Sequence, residues 1–303
     1  MVFSVTVLGS SSALPTSNRY LTAHVLNVDE RFFLIDCGEG TQFQLRKYKA
    51  KFSRLNHIFI THLHGDHMFG LPGLISTFNL LGRKQDLHIY AHSNLEKILK
   101  QFLAHFFTHL DFNIIFHALN HDSKELIFED SKIIVESFPL KHRIPTCGFI
   151  FREKPRMKNI RKEMIEYHKI PVREIVNIKR GDDFVTDEGI VIPNSNLTFD
   201  QETTRSYAFC SDTAYFENIL PIIQSVDLLY HEATFADEDN ERAQETLHST
   251  ASQAATIAKL SNAKKLLIGH FSARYKDIKP LVIQAQKIFP NTLAAEEGLE
   301  ITL

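Results

Sequence analysis

The sequence has 303 residues and no tryptophan, and its only cysteines are Cys37, Cys147 and Cys210, none in a Cys-x-x-Cys pair. So few thiols do not make a disulfide framework, and a reducing compartment, the cytoplasm, is the expected setting. No apolar run approaches the ~18 residues that cross a bilayer, so no membrane association is expected. The opening stretch MVFSVTVLGS lacks the basic leader and cleavage site of a secretory signal. Net charge is also small, −2 from 34 basic and 36 acidic residues. A total so near zero neither favours nor excludes a polyanionic partner, so local charge has to be read. With 44% hydrophobic and 23% charged residues, the composition argues against disorder.

Histidine is plentiful, with 16 residues. It is the commonest metal-ligating side chain and titrates near neutrality, so its placement matters. Short β-branched or aromatic runs predict strands at Val2–Leu8, Ala23–Val28, Arg31–Asp36, Leu87–Ala91, Lys132–Ser137, Gly148–Phe151, Ser206–Ser211, Asp227–Tyr230 and Lys264–Ile268. Helical patterns cover Thr41–Tyr48, Leu74–Leu81, Asn94–Phe107, Ala251–Leu260 and Asp277–Ile288. Strands come early and late with helices between them, which predicts an α/β sandwich of two β-rich halves, a single domain over residues 1–303. The character changes from residue 152 to about 196. Ten basic and four acidic residues between Arg152 and Arg180 give a local net charge of +6. With few core residues, this stretch reads as a projecting inserted arm.

The sharpest signal is Thr61-His62-Leu63-His64-Gly65-Asp66-His67. Four potential ligands fall within six residues after a short apolar run. A tight turn at Gly65 lets His62 and His64 face one point while Asp66 and His67 turn toward another. Imidazole and carboxylate suit Zn²⁺. One loop does not complete two metal sites, and three residues at strand ends are candidates to do so: His142, Asp212 and His270.

The chain resembles the metallo-β-lactamase fold hydrolases, and within them the ribonuclease Z family of tRNA 3′-end processing endonucleases. The carrying motifs are His62-Leu-His64-Gly-Asp66-His67, Leu34-Ile-Asp36-Cys-Gly38-Glu-Gly40-Thr41-Gln, His231-Glu232-Ala233-Thr234 and His248-Ser249-Thr250. The resemblance implies a four-layer αβ/βα sandwich and two Zn²⁺ per subunit, for which Mn²⁺ or Fe²⁺ could substitute. His62, His64 and His142 would hold one ion and Asp66, His67 and His270 the other, with Asp212 bridging. It further implies a catalytic Asp66, a proton donor at His248 oriented by Glu232, and a homodimer acting on precursor tRNA. The products would be a tRNA with a 3′-hydroxyl and a trailer with a 5′-phosphate. The basic segment corresponds to the family's flexible tRNA-clamping arm, so Lys154, Arg156, Lys158, Arg161, Lys162, Lys179 and Arg180 are candidate phosphate contacts. Arg19 and Arg274 are candidate contacts to the RNA end. Another phosphodiesterase of this fold, acting on other RNA or on small diesters, is the alternative.

Other residues read as structural. His105 and His109 share a helical face but sit among aromatics, which predicts packing. Cys37 lies beside the motifs without a partner that would make it a nucleophile. Phe69 and Phe78 are candidates to stack on a base.

Overall fold

A computed structural model of the chain describes residues 2–106, 109–199 and 203–303. The chain divides into two compact units, Met1–Arg152 with Arg205–Leu303, and Glu153–Thr204.

The larger unit is built on two seven-stranded sheets. The first runs in the order Glu300–Thr302, Phe3–Gly9, Ala23–Val28, Arg31–Ile35, Leu55–Phe59, Leu87–Ala91, Ile114–Ala118. The second runs Thr292–Ala294, Leu266–Gly269, Leu228–Glu232, Ser206–Cys210, Cys147–Glu153, Ile133–Pro139, Glu125–Glu129. Strand alternation explains the layers, since successive side chains leave a strand on opposite faces. Phe33 and Ile35 join Phe59, Phe149, Phe151, Tyr207 and Phe209 in a buried core between the sheets. Phe32 and Leu34, their neighbours in sequence, face outward onto Leu45, Leu71, Leu74, Leu95 and Leu99 of the helices Thr41–Lys47, Leu71–Leu80 and Asn94–Phe106. In the second sheet Ala208 and Cys210 face outward onto the helices Ala251–Leu260 and Lys279–Ile288. Strands covered on both faces read as near-continuous apolar runs. The four-layer αβ/βα expectation therefore holds.

Strand pairing places the functional loops. Arg31–Ile35 pairs in parallel with Leu55–Phe59, and Ser206–Cys210, Leu228–Glu232 and Leu266–Gly269 form a parallel set. The loops after these strands carry His62, Asp212 and His270, in the crevice beyond the carboxyl ends where α/β sheets place ligands.

Several boundaries differ from the sequence expectation. The helix expected at Leu74 starts at Leu71, because Pro72 sits in its first turn, where the missing N–H leaves no bond unmade. The expected end at Phe107 lies outside the described residues. The short strands Thr292–Ala294 and Glu300–Thr302 carry too few residues for a periodic signal. His105 and His109 are exposed rather than packed; His105 Nδ1 donates to the Gln101 carbonyl at 2.7 Å.

The smaller unit contains the helices Lys162–Tyr167 and Val172–Arg180 and the hairpin Phe184–Val185 with Val191–Ile192. The stretch read as poor in core residues has a core of its own: Ile170, Ile178, Phe184 and Leu197 are buried together. Buried Asn194 ties the unit, donating from Nδ2 to the carbonyls of Ile178 (2.7 Å) and Asp182 (2.8 Å).

His24 lies wholly buried between Phe209 and Tyr230, hydrogen-bonded to the Tyr207 hydroxyl at 2.9 Å. Burial lowers its pKa to about 3. Between roughly pH 3 and 6.5 the unfolded chain therefore binds a proton that the native chain refuses. Stability falls with acidification through that window by ~1.4 kcal/mol per pH unit from this one group. His24→Asn, which keeps a polar atom near Nδ1, should lower stability at pH 7 and flatten the loss between pH 6.5 and 4.5. Urea unfolding of metal-free protein at both pH values measures the difference.

Candidate metal centre

The strand Leu55–Phe59 delivers the chain to Thr61 and His62, and a short helical turn over Gly65–Met68 follows. Gly65 gives the Phe69 ring room to lie over the turn: a Cβ there would lie 2.4 Å from that ring and displace it. The turn separates the ligands as expected. His62, His64, His142 and Asp212 bring one ligand atom each within 4.8 Å of one another, and Asp66, His67 and His270 form a second such group. Asp212 faces both. Its Oδ2 lies 3.5 Å from His62 Nε2 and 3.7 Å from His142 Nε2, while its Oδ1 lies 3.3 Å from His67 Nε2 and 3.2 Å from His270 Nε2. The seven residues named from the sequence are thus brought together.

Hydrogen-bond logic shows which nitrogen three of the imidazoles offer, while His64 turns its Nδ1 toward His62 and His142. His142 Nδ1 lies 2.9 Å from the Leu247 carbonyl, which only accepts, so that nitrogen carries the proton. His67 Nδ1 lies 2.8 Å from Asp36 Oδ2 and donates to it. The Thr61 hydroxyl gives its one proton to Asp36 at 3.0 Å and so accepts from His62 Nδ1, also at 3.0 Å. In each case Nε2 is left to face the centre. Partners of this kind fix ring orientation in metal sites. The Nε2 atoms of His67 and His270 are buried without a hydrogen bond, although carboxylate oxygens lie within 3.5 Å. Atoms that converge without bonding one another are arranged around a shared point.

Charge agrees. Burial lowers the pKa of His62 to about 3 and also lowers those of His64 and His142, which keeps their lone pairs free at neutral pH. Burial opposes charge on His67 too, yet Asp212, Asp66 and Asp36 around it raise its pKa well above the ordinary value. This cluster of carboxylates calls for a cation. A proton on His67 and a divalent metal compete for that place, and metal binding releases the proton. The donor set therefore fits metal binding.

Beside the ligands stands a second arrangement. Glu232 is fully buried and accepts four hydrogen bonds, from the backbone N–H of Thr213 (2.9 Å), the N–H (3.0 Å) and hydroxyl (2.6 Å) of Thr234, and His248 Nδ1 (2.8 Å). Burial would raise its pKa, but the neighbouring His248 charge lowers it overall. For His248, burial opposes the charge and Glu232 outweighs it, giving a pKa of about 9. His231 is buried, bonds the Glu232 carbonyl from Nδ1 at 2.7 Å, and belongs to neither ligand group. Cys37 is buried and its thiol pKa is raised by burial, consistent with no nucleophilic role.

The ligands open into a cleft of about 540 Å³ lined by His64, Asp66, His142, Asp212, His248 and His270 together with Arg274, Arg143, Arg242 and Phe69. Arg143, Arg242 and Glu39, which also lines the cleft, are not singled out by the sequence. Arg143 follows the ligand His142 directly, which was the available signal. Phe69 is 66% exposed at the cleft, whereas Phe78 is buried at 2% and cannot stack on a base. Arg274 pairs with Asp239 at 2.9 Å over the Phe235 ring. Arg19 instead donates to the carbonyls of Ser272 (3.3 Å) and Tyr275 (2.9 Å) and lines a separate hollow with Lys47 and Tyr48.

In the smaller unit several expected phosphate contacts are engaged internally. Arg156 pairs with Glu153 at 2.7 Å, Lys158 donates to Asn194 Oδ1 at 2.7 Å, and Arg161 donates to the Thr198 carbonyl at 3.1 Å. Lys154 and Lys179 are half-buried, while Lys162 and Arg180 are exposed.

The comparisons with known proteins agree with this architecture. A family model described as anti-Pycsar protein Apyc1 matches residues 3–287. Ribonuclease Z of Phocaeicola vulgatus is 50% identical over 301 residues, covering 99% of this chain and 97% of that protein. Ribonuclease Z of Porphyromonas gingivalis is 47% identical over 301 residues, covering 99% of each. Among solved structures, the short form of human tRNase Z superposes with a TM-score of 0.71 at 30% identity over 98% of both chains. The metallo-β-lactamase fold protein YhfI of Bacillus subtilis gives 0.71 at 17% identity over 99% of both, a likeness of fold.

Asp36 sits outside the ligand groups, so it tests the outer support. Asp36→Asn should weaken divalent-metal affinity by ~10–100-fold, read by competition with a chelating dye. An unchanged affinity would mean that the Asp36–His67 bond does not orient the ligand.

Proposed function

Because the chain belongs to the ribonuclease Z family, as well as matching the Apyc1 family model, we propose that it is an endoribonuclease that removes the 3′ trailer from precursor tRNA. The observation that carries this reading is the placement of two ligand groups, bridged by Asp212, in one cleft with the Glu232–His248 pair.

Zinc is the metal assigned to the two groups, with Mn²⁺ or Fe²⁺ as substitutes compatible with the same donors. Bound there, the pair supplies Lewis acidity that acidifies water toward a pKa of ~7 and neutralises phosphodiester oxygens. The chain's own residues do the rest. Asp66, whose Oδ2 accepts the Ala13 N–H at 2.7 Å, stays ionised and orients the attacking water. His248, held protonated by Glu232, donates its proton to the departing 3′ oxygen, leaving a 3′-hydroxyl on the tRNA and a 5′-phosphate on the trailer. Arg274, Arg143 and Arg242 line the approach for phosphates. Lys162 and Arg180 of the inserted unit, 152–196 by sequence and Glu153–Thr204 by structure, are exposed, which supports them as contacts to the tRNA body. Following the family resemblance, the enzyme acts as a homodimer. Its three free, buried cysteines fit a cytoplasmic setting.

A 3′-extended precursor tRNA incubated with zinc-loaded protein should be cut once near the discriminator base. Asp66→Ala should abolish the cut, and His248→Ala should lower kcat by ~10²–10⁴-fold. Because His248 must be protonated, cleavage should fall as pH rises through about 9, and that limb should vanish in His248→Ala. If the chain is instead a phosphodiesterase for small diesters, as the Apyc1 match would favour, bis(p-nitrophenyl) phosphate will be hydrolysed while precursor tRNA is left intact.

Charge reversal tests the inserted unit. Lys162→Glu with Arg180→Glu should weaken precursor tRNA binding and make its dependence on salt shallower, by about one unit of log–log slope per lost contact. Hydrolysis of the small diester should be unaffected. Equal loss on both substrates would remove the unit from RNA recognition.

A further inference from the structure

The hydroxyl of Thr234 stands between the two halves of the centre. It is buried, and it donates its single proton to Glu232 Oε2 at 2.6 Å. The same oxygen lies 2.8 Å from His270 Nδ1. With its proton committed to a carboxylate, which only accepts, the oxygen is an acceptor toward His270, and Nδ1 of His270 carries the hydrogen. This is what leaves His270 Nε2 free to face Asp66 and Asp212, at 3.4 and 3.2 Å. Among the described residues, no other group bonds His270 Nδ1.

Glu232 does not make this contact itself, since none of its hydrogen bonds comes from His270. Its oxygens hold four hydrogen bonds, two of them from Thr234 itself. His248 Nδ1 points between Glu232 Oε1 at 2.8 Å and the Thr234 oxygen at 3.3 Å. One hydroxyl thus touches a ligand, the carboxylate behind the proton donor, and the donor itself.

We propose that Thr234 is a positioning residue that sets the tautomer of His270 and the placement of the Glu232–His248 pair through one hydroxyl. Without it, the buried Nδ1–H of His270 has no acceptor, and the ring gains by moving its hydrogen to Nε2, where that atom no longer offers a lone pair to a metal. The buried carboxylate simultaneously loses its shortest donor. Metal holding and proton donation are therefore coupled by a side chain that performs neither.

The inference rests on reading the two groups as metal sites, and its test separates the two ideas. Zinc affinity is measured by chelator competition on metal-free wild type, Thr234→Val, Thr234→Ala and Thr234→Ser, alongside kcat and KM for precursor tRNA and bis(p-nitrophenyl) phosphate. Val and Ala should each weaken the zinc site by ~10–100-fold and lower kcat on both substrates at saturating zinc, with KM unchanged. Ser, which keeps the hydroxyl, should restore both quantities to within a few-fold of wild type. Ala serves should Val fail to fold, since it adds no bulk. Zinc affinity and kcat unchanged in Val and Ala would overturn the proposal while leaving the metal reading intact. A Ser variant as impaired as Ala would overturn it in favour of methyl packing. A wild type that takes up no zinc would overturn both.

Discussion

The carboxylate of Asp212 points one oxygen at each of two histidine groups, and the remainder of the centre is arranged so that it can. A buried carboxylate is costly unless cations or donors surround it. Here two more acids, Asp66 and Asp36, lie within the same network, so negative charge is concentrated at a largely buried place. Such a charge is tolerable only if the partners are held rigidly. That requirement accounts for the parallel strand ends, which deliver His62, Asp212 and His270 from separate parts of the chain to one crevice. It also accounts for the backbone: Asp36 and His270 both sit at positive φ, 55° and 60°, a conformation costly for residues with a side chain and retained where surrounding structure imposes it.

Much of this centre was readable because the chemistry is local. Four ligands within six residues leave little freedom, and the Gly between them marks the turn that splits them. The strand-end ligands were readable through the apolar runs that precede them and through the family resemblance. What supports the ligands was not readable. Asp36 was quoted as part of a motif, but its bond to His67 spans 31 residues, and the roles of Thr61 and Thr234 depend on where single hydrogens go. No spacing rule carries that information.

The inserted unit shows a different limit. Counting charges located it, yet the count does not say which charges are already partnered. Arg156, Lys158 and Arg161 bond groups within their own unit, whereas Lys162 and Arg180 are exposed and, among the described residues, make no such bond. The helix Val172–Arg180 has an apolar face with Ile175 and Ile178 three residues apart, but Ile170, Phe184 and Leu197, which complete the core, are scattered along the segment. They become a core only when two helices and a hairpin bring them together, so a segment that reads as charged and coreless is internally packed.

The pairing of Phe3–Gly9 with Glu300–Thr302 has a consequence during synthesis. Two strands far apart in the sequence must both be present before that sheet is complete. His270 follows most of the chain. Domains form as their residues become available, at roughly 5–20 residues per second. A nascent chain can therefore gather the ligands His62, His64, His142 and Asp212 well before the second group closes. Until His270 is made, Asp66 and His67 lack the third member of their group, so the two groups do not become complete together.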